Sequence, residues 1–219
     1  MPCCQCQAIE SEFDPKTAAA ELKRYRERGP ARTTQMFIEA LRAAKIEGTT
    51  LLDIGGGIGA IQHALLDLGI SHAIAVEGSA AYLAASQDEA RRRGHVDRVR
   101  YLHGDFVERA DEISPADVVT LDRVICCYPD MPSLVARSSA RARKLYGLVY
   151  PRDTWWNRAG LAFLNLLRRL RRDPFRVFAH RAADVEAAVR ANGLAPLSHK
   201  QTLVWRVDVY VRREAMGTA

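Results

Sequence analysis

Residues 50–60, TLLDIGGGIGA, decide the fold of this chain of 219 residues. An apolar run ends at Asp53, glycines follow at positions 55, 56, 57 and 59, and an apolar-periodic segment then begins. This order predicts a strand, a tight turn and a helix. Glycine lacks a Cβ and adopts positive φ readily, so a ligand can lie against the bare backbone of the turn. The helix N-terminus behind the turn adds free N–H groups and the positive end of the helix dipole.

The glycine turn carries the pattern D-x-G-x-G-x-G, formed by Asp53, Gly55, Gly57 and Gly59. This pattern resembles the first motif of class I S-adenosylmethionine (AdoMet) methyltransferases. It departs from the dinucleotide pattern G-x-G-x-x-G, because the third glycine would fall at Ala60. The looser dinucleotide pattern accepts alanine there. Taken alone, this motif therefore leaves two alternatives, a turn that binds a nucleotide and a turn that binds nothing.

Further acids follow three predicted strands, namely Glu77, Asp105 and Asp122. In doubly wound folds the carboxyl ends of the strands border the ligand crevice, and an acid after the second strand faces ribose hydroxyls. The resemblance implies that Asp105 accepts from the adenine amine, that Phe106 packs on the ring, and that Tyr25 is a lid tyrosine. The residues that we expect to bind AdoMet are Asp53, Gly55, Gly57, Gly59, Glu77, Gly78, Asp105, Phe106, Asp122 and Tyr25.

Strands that alternate with helices predict an α/β fold, a doubly wound Rossmann-like sheet with helices on both faces. The predicted strands are 51–54, 73–77, 99–102, 117–122 and 145–150, followed by the alternating runs 198–205 and 206–213. The last two runs, separated near Trp205 or by a short turn near Gln201, resemble the family's terminal pair. The resemblance implies seven strands, mostly parallel, with an antiparallel last strand. The predicted helices are 17–28, 33–44, 58–68, 79–93, 132–142, 155–171 and 182–191.

The length predicts one domain over residues 1–219. The resemblance implies that this is a methyltransferase domain with an N-terminal cap segment, 1–48, and a substrate-side insertion, 152–181. Hydrophobic residues make up 48% of the chain and charged residues 26%, as in ordinary globular domains. The first ten residues lack the basic and apolar regions of a signal peptide. No stretch approaches the roughly 18–20 apolar residues of a spanning helix. We therefore expect a cytoplasmic protein.

The insertion and its flanks are basic and aromatic. Residues 137–176 contain eleven Lys and Arg against two acids, although the whole chain is only +6. Three interpretations are open: a helix with an apolar core face and arginines at its C-terminal dipole end, a site for an acidic or aromatic substrate, or contact with an anionic membrane surface. No RNA-binding pattern accompanies the pI of 9.2, so we expect no nucleic-acid partner.

The end of the fourth strand carries the candidate chemistry, in L-D-R-V-I-C-C-Y-P-D at 121–130. It lacks the N-P-P-Y or D-P-P-Y signature associated with methylation of amide or adenine nitrogens. Residues 117–130 resemble magnesium-protoporphyrin O-methyltransferases, and the resemblance extends loosely over 50–212, but Cys127 stands where that family tends to have histidine. We expect a small-molecule acceptor that is methylated on oxygen, sulfur or a similar nucleophile. The expected catalytic residues are Asp122, Arg123, Cys127 and Tyr128, with Cys126, Trp155 and Trp156 also in the pocket.

All five cysteines fall in two clusters, Cys3, Cys4 and Cys6 near the N-terminus and Cys126 and Cys127 after the fourth strand. If the clusters meet, their thiolates could bind zinc or trivalent arsenic. The spacing C-C-x-C is not the C-x-x-C of zinc ribbons, so we expect no metal. A metalloid methyltransferase of the arsenite type and a non-catalytic AdoMet- or metal-binding protein are the alternative functions.

Overall fold

The computed structural model describes the backbone of residues 4–213 and the side chains of residues 8–213. Its seven strands form one sheet in the order β3-β2-β1-β4-β5-β7-β6. The strands are β1 Thr50–Ile54, β2 His72–Glu77, β3 Val99–His103, β4 Ala116–Asp122, β5 Ala142–Pro151, β6 Leu194–Gln201 and β7 Trp205–Arg212. The helices are α1 Cys4–Glu12, α2 Pro15–Arg28, α3 Arg32–Arg42, α4 Ala60–Asp67, α5 Ala80–Arg93, α6 Phe106–Arg109, α7 Met131–Ala140, α8 Trp155–Leu170 and α9 Ala182–Ala191.

The pairing of the strands confirms the expected fold class. Strands β3, β2, β1, β4 and β5 pair in parallel, and β7 runs antiparallel to both β5 and β6. The central strands β1 and β4 and most of β5 are buried, which explains why their sequences are nearly continuous apolar runs, whereas the edge strand β3 is only partly buried. The chain winds outward in opposite directions from β1 and β4, so the carboxyl ends of these two strands flank the switch point where open α/β sheets bind ligands.

Each face of the sheet carries its own apolar core. Helices α3 and α4 cover one face, where Phe37 and Leu65 are fully buried, and α7 and α9 cover the other with Val135 and Val185. On β5, a Cβ at Gly147 would collide with the Phe37 ring, so glycine there allows α3 to approach the strand. The two cores hold the strand ends in fixed positions and thereby fix the crevice that lies above them.

The terminal strands differ from their predicted bounds. The penultimate strand begins at Leu194, directly after Gly193 at φ +76° ends α9, and it finishes at Gln201. Residues 202–204 form the hairpin turn, in which the Thr202 N–H donates to the Trp205 carbonyl at 2.8 Å. The turn thus lies near Gln201, the second of the two expected positions.

A core helix buries its apolar side against the protein, whereas none of the residues of α8 is buried. Trp155 is 75% exposed and Phe163 62% exposed. The interpretation of this helix as one with an apolar face on the core is therefore wrong. No helix within residues 4–213 is long and apolar enough to cross a membrane.

Candidate active site

A cavity of about 770 Å³ lies above the carboxyl ends of β1, β2, β3 and β4. Its volume is within the range of about 300–1,000 Å³ that is usual for small-molecule sites. Most of the lining comes from the strand ends with the turns that follow them, from α1 and α2, and from the end of α8 with the segment after it. Tyr82 of α5, Leu134 of α7 and Trp205 of β7 complete it. The cap segment 1–48 and the insertion 152–181 therefore both contribute to the cavity.

The glycine turn forms the floor of this cavity with bare backbone. Gly55 and Gly57 have φ values of +62° and +58°, in the left-handed region that favours glycine. A Cβ at Gly55 would lie 2.6 Å from a Val124 methyl carbon, so no larger residue fits there without displacement. Both glycines line the cavity, as predicted, and Gly56 between them does so as well.

Asp53 lies beneath the turn and does not line the cavity. Its side chain is fully buried, and its Oδ1 accepts from the Thr120 hydroxyl at 2.7 Å. Its Oδ2 has no hydrogen-bond partner among the residues that the structure describes and would be 2.5 Å from a Cβ at Gly56. Burial, together with the charges of Asp122 and Glu77, raises the pKa of Asp53 to about 7. The expectation of direct cofactor contact is thus corrected to support of the glycine turn from below.

Gly59 and Tyr25 also lie outside the lining, because each packs against α5. A Cβ at Gly59 would come within 2.5 Å of the Ser86 hydroxyl, so this glycine permits close contact between the two helices. Tyr25 is 6% exposed, and its hydroxyl accepts from the Arg93 guanidinium at 3.0 Å. The lid role expected for Tyr25 is corrected to helix packing. Tyr82 on α5 does line the cavity, and its hydroxyl donates to Glu21 at 2.7 Å.

Glu77 joins the glycine turn to the end of β2. Its Oε2 accepts from the Gly57 N–H at 2.8 Å, and its Oε1 accepts from the Ser79 N–H at 2.9 Å. Burial raises the pKa of Glu77. A carboxylate has about four lone-pair sites, so each oxygen can still accept one further hydrogen bond from the cavity. Gly78 follows in the lining, and a Cβ there would contact Ile9 of α1 at 3.4 Å.

Asp105 and Phe106 form the end of the cavity above β3. The Oδ1 atom of Asp105 accepts from the Val107 N–H at 2.7 Å and so caps α6. Its Oδ2 accepts from the Tyr128 hydroxyl at 2.9 Å. Phe106 is 4% exposed and presents an apolar surface beside these polar groups. Tyr128, expected to be catalytic, is thereby placed at the end of the cavity that was expected to hold adenine.

Asp122 and Arg123 lie at the end of β4. The Thr34 hydroxyl donates to Asp122 Oδ2 at 2.6 Å, and Arg123 Nε donates to Asp122 Oδ1 at 3.2 Å. Arg123 has φ +62°, an uncommon conformation for a residue with a side chain. Its guanidinium carbon is 6.0 Å from the centre of the Trp205 ring. The antiparallel strand β7 thus supplies one aromatic wall beside the candidate catalytic pair.

Cys126 and Cys127 line the cavity next to this pair, with their Sγ atoms 3.7 Å apart. The contact with Cys127, followed by burial, raises the pKa of the Cys126 thiol, whereas the same contact lowers that of Cys127. Cys3 and the side chains of Cys4 and Cys6 lie outside the described residues, so their meeting with this pair stays a prediction.

The cap segment and the insertion touch across one side of the cavity. The Arg168 guanidinium donates to both carboxylate oxygens of Glu12, at 2.8 and 2.6 Å. The Phe13 and Phe175 rings meet edge to face with their centres 5.7 Å apart. These contacts cover the cavity with one charged pair and one aromatic pair.

Three further residues of the insertion lie outside the cavity lining. Trp155 and Trp156 project into solvent instead of the pocket in which they were expected. His180, which could have been a base, bonds through Nε2 to the Ile125 carbonyl oxygen at 2.8 Å. This bond ties the insertion to the turn after β4.

Several residues of the cavity lining were not predicted. They differ in whether the sequence around them indicates a position beside the cavity. Tyr82 follows β2 within the first turn of the next helix, so its place beside the strand end was open to prediction. Glu21 and Trp205 reach the cavity only through packing between distant segments, and their sequence neighbourhoods show no sign of it. Thr34 does not line the cavity but reaches Asp122 in the same way. The lining residues of this second kind are Ile9, Glu10, Glu12, Phe13, Glu21, Arg168, Phe175, Val177 and Trp205.

Comparison with known proteins agrees with this geometry. Residues 52–150 match a family described as "Methyltransferase domain". A ribosomal protein L11 methyltransferase from Enterobacter sp. (strain 638) is 36% identical over 88 residues, which are 40% of this chain and 29% of that protein. The chain spans less than a third of the length of the curated relatives that it matches.

Solved structures share the whole architecture. Magnesium protoporphyrin IX methyltransferase from Synechocystis PCC 6803, crystallised with bound SAM, superposes with a TM-score of 0.67 at 15% identity, covering 95% of this chain and 97% of that one. An O-methyltransferase family protein from Burkholderia thailandensis gives a TM-score of 0.70 at 16% identity, covering 93% and 62%. The expected resemblance to class I AdoMet-dependent methyltransferases is confirmed, and this chain has their fold.

Proposed function

We propose that the protein is an enzyme that transfers the methyl group of AdoMet to an oxygen, sulfur or similar nucleophile of a small molecule. The observation that carries this proposal is the junction of the glycine turn with Glu77. The carboxylate accepts the Gly57 N–H at 2.8 Å while it borders a cavity of about 770 Å³. This arrangement offers bare backbone and a hydroxyl acceptor side by side, as a nucleoside ligand requires.

The other cavity residues fit the same cofactor. Gly55 and Gly57 would border its methionine part, Glu77 would accept from its ribose, and Asp105 with Phe106 would hold its adenine. Bound there, AdoMet would supply a methyl group on a positively charged sulfonium. The charge of the lining suits such a cation, because six carboxylates face two arginines. The carboxylates are Glu10, Glu12, Glu21, Glu77, Asp105 and Asp122.

Asp122 and Arg123 are the residues that we assign to the acceptor. Each Asp122 oxygen already accepts one hydrogen bond, from Thr34 or from Arg123, so the carboxylate is fixed in orientation. It keeps lone pairs that can accept the proton of an acceptor hydroxyl or thiol. Positioning supplies most of the rate enhancement in such a site, and a base adds about 10²–10⁴-fold. Tyr128 belongs to the cofactor end in this proposal, since its hydroxyl donates to Asp105.

The cover over the cavity supports a small acceptor. The Glu12–Arg168 and Phe13–Phe175 contacts close one side of the cavity, which a bulky polymer would have to open. The curated relative named above is a ribosomal protein L11 methyltransferase. A small-molecule acceptor, the absence of a nucleic-acid partner and a cytoplasmic location are parts of this proposal.

Calorimetry with AdoMet and with its demethylated product, followed by a labelled-methyl assay, tests the proposal. The acceptor panel is a porphyrin, a phenol, a carboxylate, a thiol and arsenite. Glu77→Ala removes two ribose contacts, each worth roughly 1.5–3 kcal/mol, so binding should weaken by about 10²–10⁴-fold. Glu27→Ala, an exposed Glu on α2, is the matched control. Failure of the wild type to bind either compound at ~1 mM would contradict the proposal.

A second candidate function is a metalloid methyltransferase, favoured by the Sγ atoms of Cys126 and Cys127 at 3.7 Å in the cavity lining. Two neighbouring thiols suit a soft ion such as trivalent arsenic. Methylation of arsenite alone in the panel, lost in Cys126→Ser and Cys127→Ser, would select it. Tight AdoMet binding with no acceptor methylated would instead support a non-catalytic AdoMet-binding protein.

A further inference from the structure

Helix α8 exposes most of its large apolar side chains to solvent, and only Leu161 and Leu167 among its leucines are half-buried. Trp155, Phe163 and Leu170 recur at helical spacing on the outer side, and they are 75%, 62% and 73% exposed. Asn157 and Asn165 lie on the inner side with Arg168. An outward face of this kind is the reverse of the packing that an amphipathic helix adopts in a globular core.

Specific hydrogen bonds fix the helix in this orientation. The Asn157 side chain donates to the Val204 carbonyl at 3.0 Å. Asn165 donates to the Val177 carbonyl at 2.7 Å and accepts from the Val177 N–H at 3.0 Å. With the Arg168–Glu12 pair, these bonds hold three positions of the inner side along the helix. A rotation of α8 that buried the aromatic face would break all of them.

The apolar surface continues from α8 onto the hairpin turn 202–204. Leu203 is 72% exposed and Val204 41% exposed. The Arg152 N–H donates to the Val204 carbonyl at 2.8 Å, so this turn is held against the N-terminal end of α8. Exposed apolar side chains therefore occur on two neighbouring elements, α8 and the turn, and groups of such side chains mark interaction sites.

The charge around this surface identifies its partner. Helix α8 contains no Asp or Glu, and arginines border its apolar face. The exposed arginines are Arg158, Arg169, Arg171 and Arg172. A second copy of the chain placed on this face would bring arginines of both copies together, whereas anionic lipid headgroups complement them. Amphipathic helices with arginine beside Trp, Phe and Leu lie in membrane interfaces. We propose that α8 and the 202–204 turn attach the protein to an anionic membrane surface.

Attachment through this face would place the cavity next to the lipid. Arg168 is on the inner side of the same helix and lines the cavity, while its neighbours Arg169 and Leu170 face solvent. An apolar acceptor dissolved in the membrane would then reach the site without crossing water. The attachment does not depend on methyl transfer, so its test is independent of the proposed function.

Co-sedimentation of the full chain with vesicles tests the attachment. One set is phosphatidylcholine alone, and the other is an equimolar mixture of phosphatidylcholine and phosphatidylglycerol. Binding is expected only to the mixed vesicles and should weaken as salt is added, because salt screens the attraction. Arg169→Gln and Arg172→Gln should each weaken binding about fivefold. Equal binding to both vesicle sets, or no binding to the mixed set, would overturn the proposal.

Apolar variants test the inserted face. Phe163→Ser should weaken binding about tenfold or more, because a large apolar side chain no longer leaves water. The matched control is Val96→Ser, at an apolar residue that is 53% exposed beside the far edge strand β3. Tryptophan emission should shift to the blue on mixed vesicles, and the double variant Trp155→Phe/Trp156→Phe should abolish the shift. A lipid-free dimer that Phe163→Ser dissociates would overturn the proposal in favour of a second copy on this face.

Discussion

Asp53→Asn tests the buried carboxylate beneath the glycine turn. The Asp53 side chain is 0% exposed, and one of its oxygens accepts from Thr120, while the other has no hydrogen-bond partner within the described part of the chain. Burial of the charge, with the nearby charges of Asp122 and Glu77, raises its pKa to about 7 from the ordinary 3.8. The folded protein therefore binds the Asp53 proton more tightly than the unfolded chain does.

The sign of the effect follows from this difference. A group whose pKa is higher in the folded protein than in the unfolded chain stabilises the fold when it is protonated. This stability is fully present below the pKa of the unfolded chain and is lost as the pH rises through the pKa of the folded protein. The loss therefore occurs between about pH 4 and about pH 7. At about 1.4 kcal/mol per pKa unit, it amounts to roughly 4 kcal/mol. Asparagine carries no such proton, so the free energy of unfolding of Asp53→Asn, relative to wild type, should rise by up to that amount over this interval.

Urea unfolding, followed by tryptophan fluorescence and circular dichroism without AdoMet, measures this difference from about pH 4 to about pH 8. Titrating groups that do not interact with Asp53, such as the buried His63, are common to both proteins and cancel in the comparison. Asp97→Asn, at an exposed aspartate, controls for the loss of one carboxylate. A difference between Asp53→Asn and wild type that stays within about 1 kcal/mol over the whole range, or that falls with pH, would refute the reasoning.

Three other substitutions test separate parts of the site. Gly55→Ala should abolish measurable AdoMet binding in calorimetry, because Gly55 has a φ of +62° and the added Cβ would lie 2.6 Å from a valine methyl group. Unchanged affinity would contradict the role of the glycine turn in binding. Glu12→Gln should speed amide exchange in α1 about tenfold or more, since it weakens the charged hydrogen bonds from Arg168; unchanged exchange would show that the pair does not hold the cover. Thr34→Val should lower the free energy of unfolding by roughly 1–3 kcal/mol, because Asp122 loses a buried donor at 2.6 Å; a change below about 0.5 kcal/mol would argue against that bond.

The sheet could be predicted because its central parallel strands, β1 and β4 and most of β5, are buried on both faces. Such strands leave continuous apolar runs, and glycines end the helices between them at Gly69 and Gly94. The edge strand β6 was placed less accurately. It contains Pro196, and its pairing with β7 shifts between Pro196 and Ser198. A proline and an irregular register interrupt the alternation on which the prediction of a strand depends.

Strand-end residues of the site were predictable for a geometric reason. Parallel strands bring their carboxyl ends to one edge, so Glu77, Asp105 and Asp122 share the cavity whatever surrounds them. Gly59 and Tyr25 could not be assigned in this way. Glycine turns and amphipathic helices have two sides, and only the packing on α5 determines that these two residues face away from the cavity.

The orientation of α8 shows the same limit in a stronger form. A period of 3.6 residues identifies an apolar side of a helix, but it does not state that this side is inward. Burial of that side would gain about 25 cal/mol per Å², so its exposure requires contacts that outweigh the gain. Asn157, Asn165 and Arg168 provide them, through partners that lie far away in sequence. The apolar area left in water retains a driving force for association, and the arginines beside it direct that force toward an anionic surface. The residues that make α8 unpredictable as a core helix are therefore the ones that support its role in attachment.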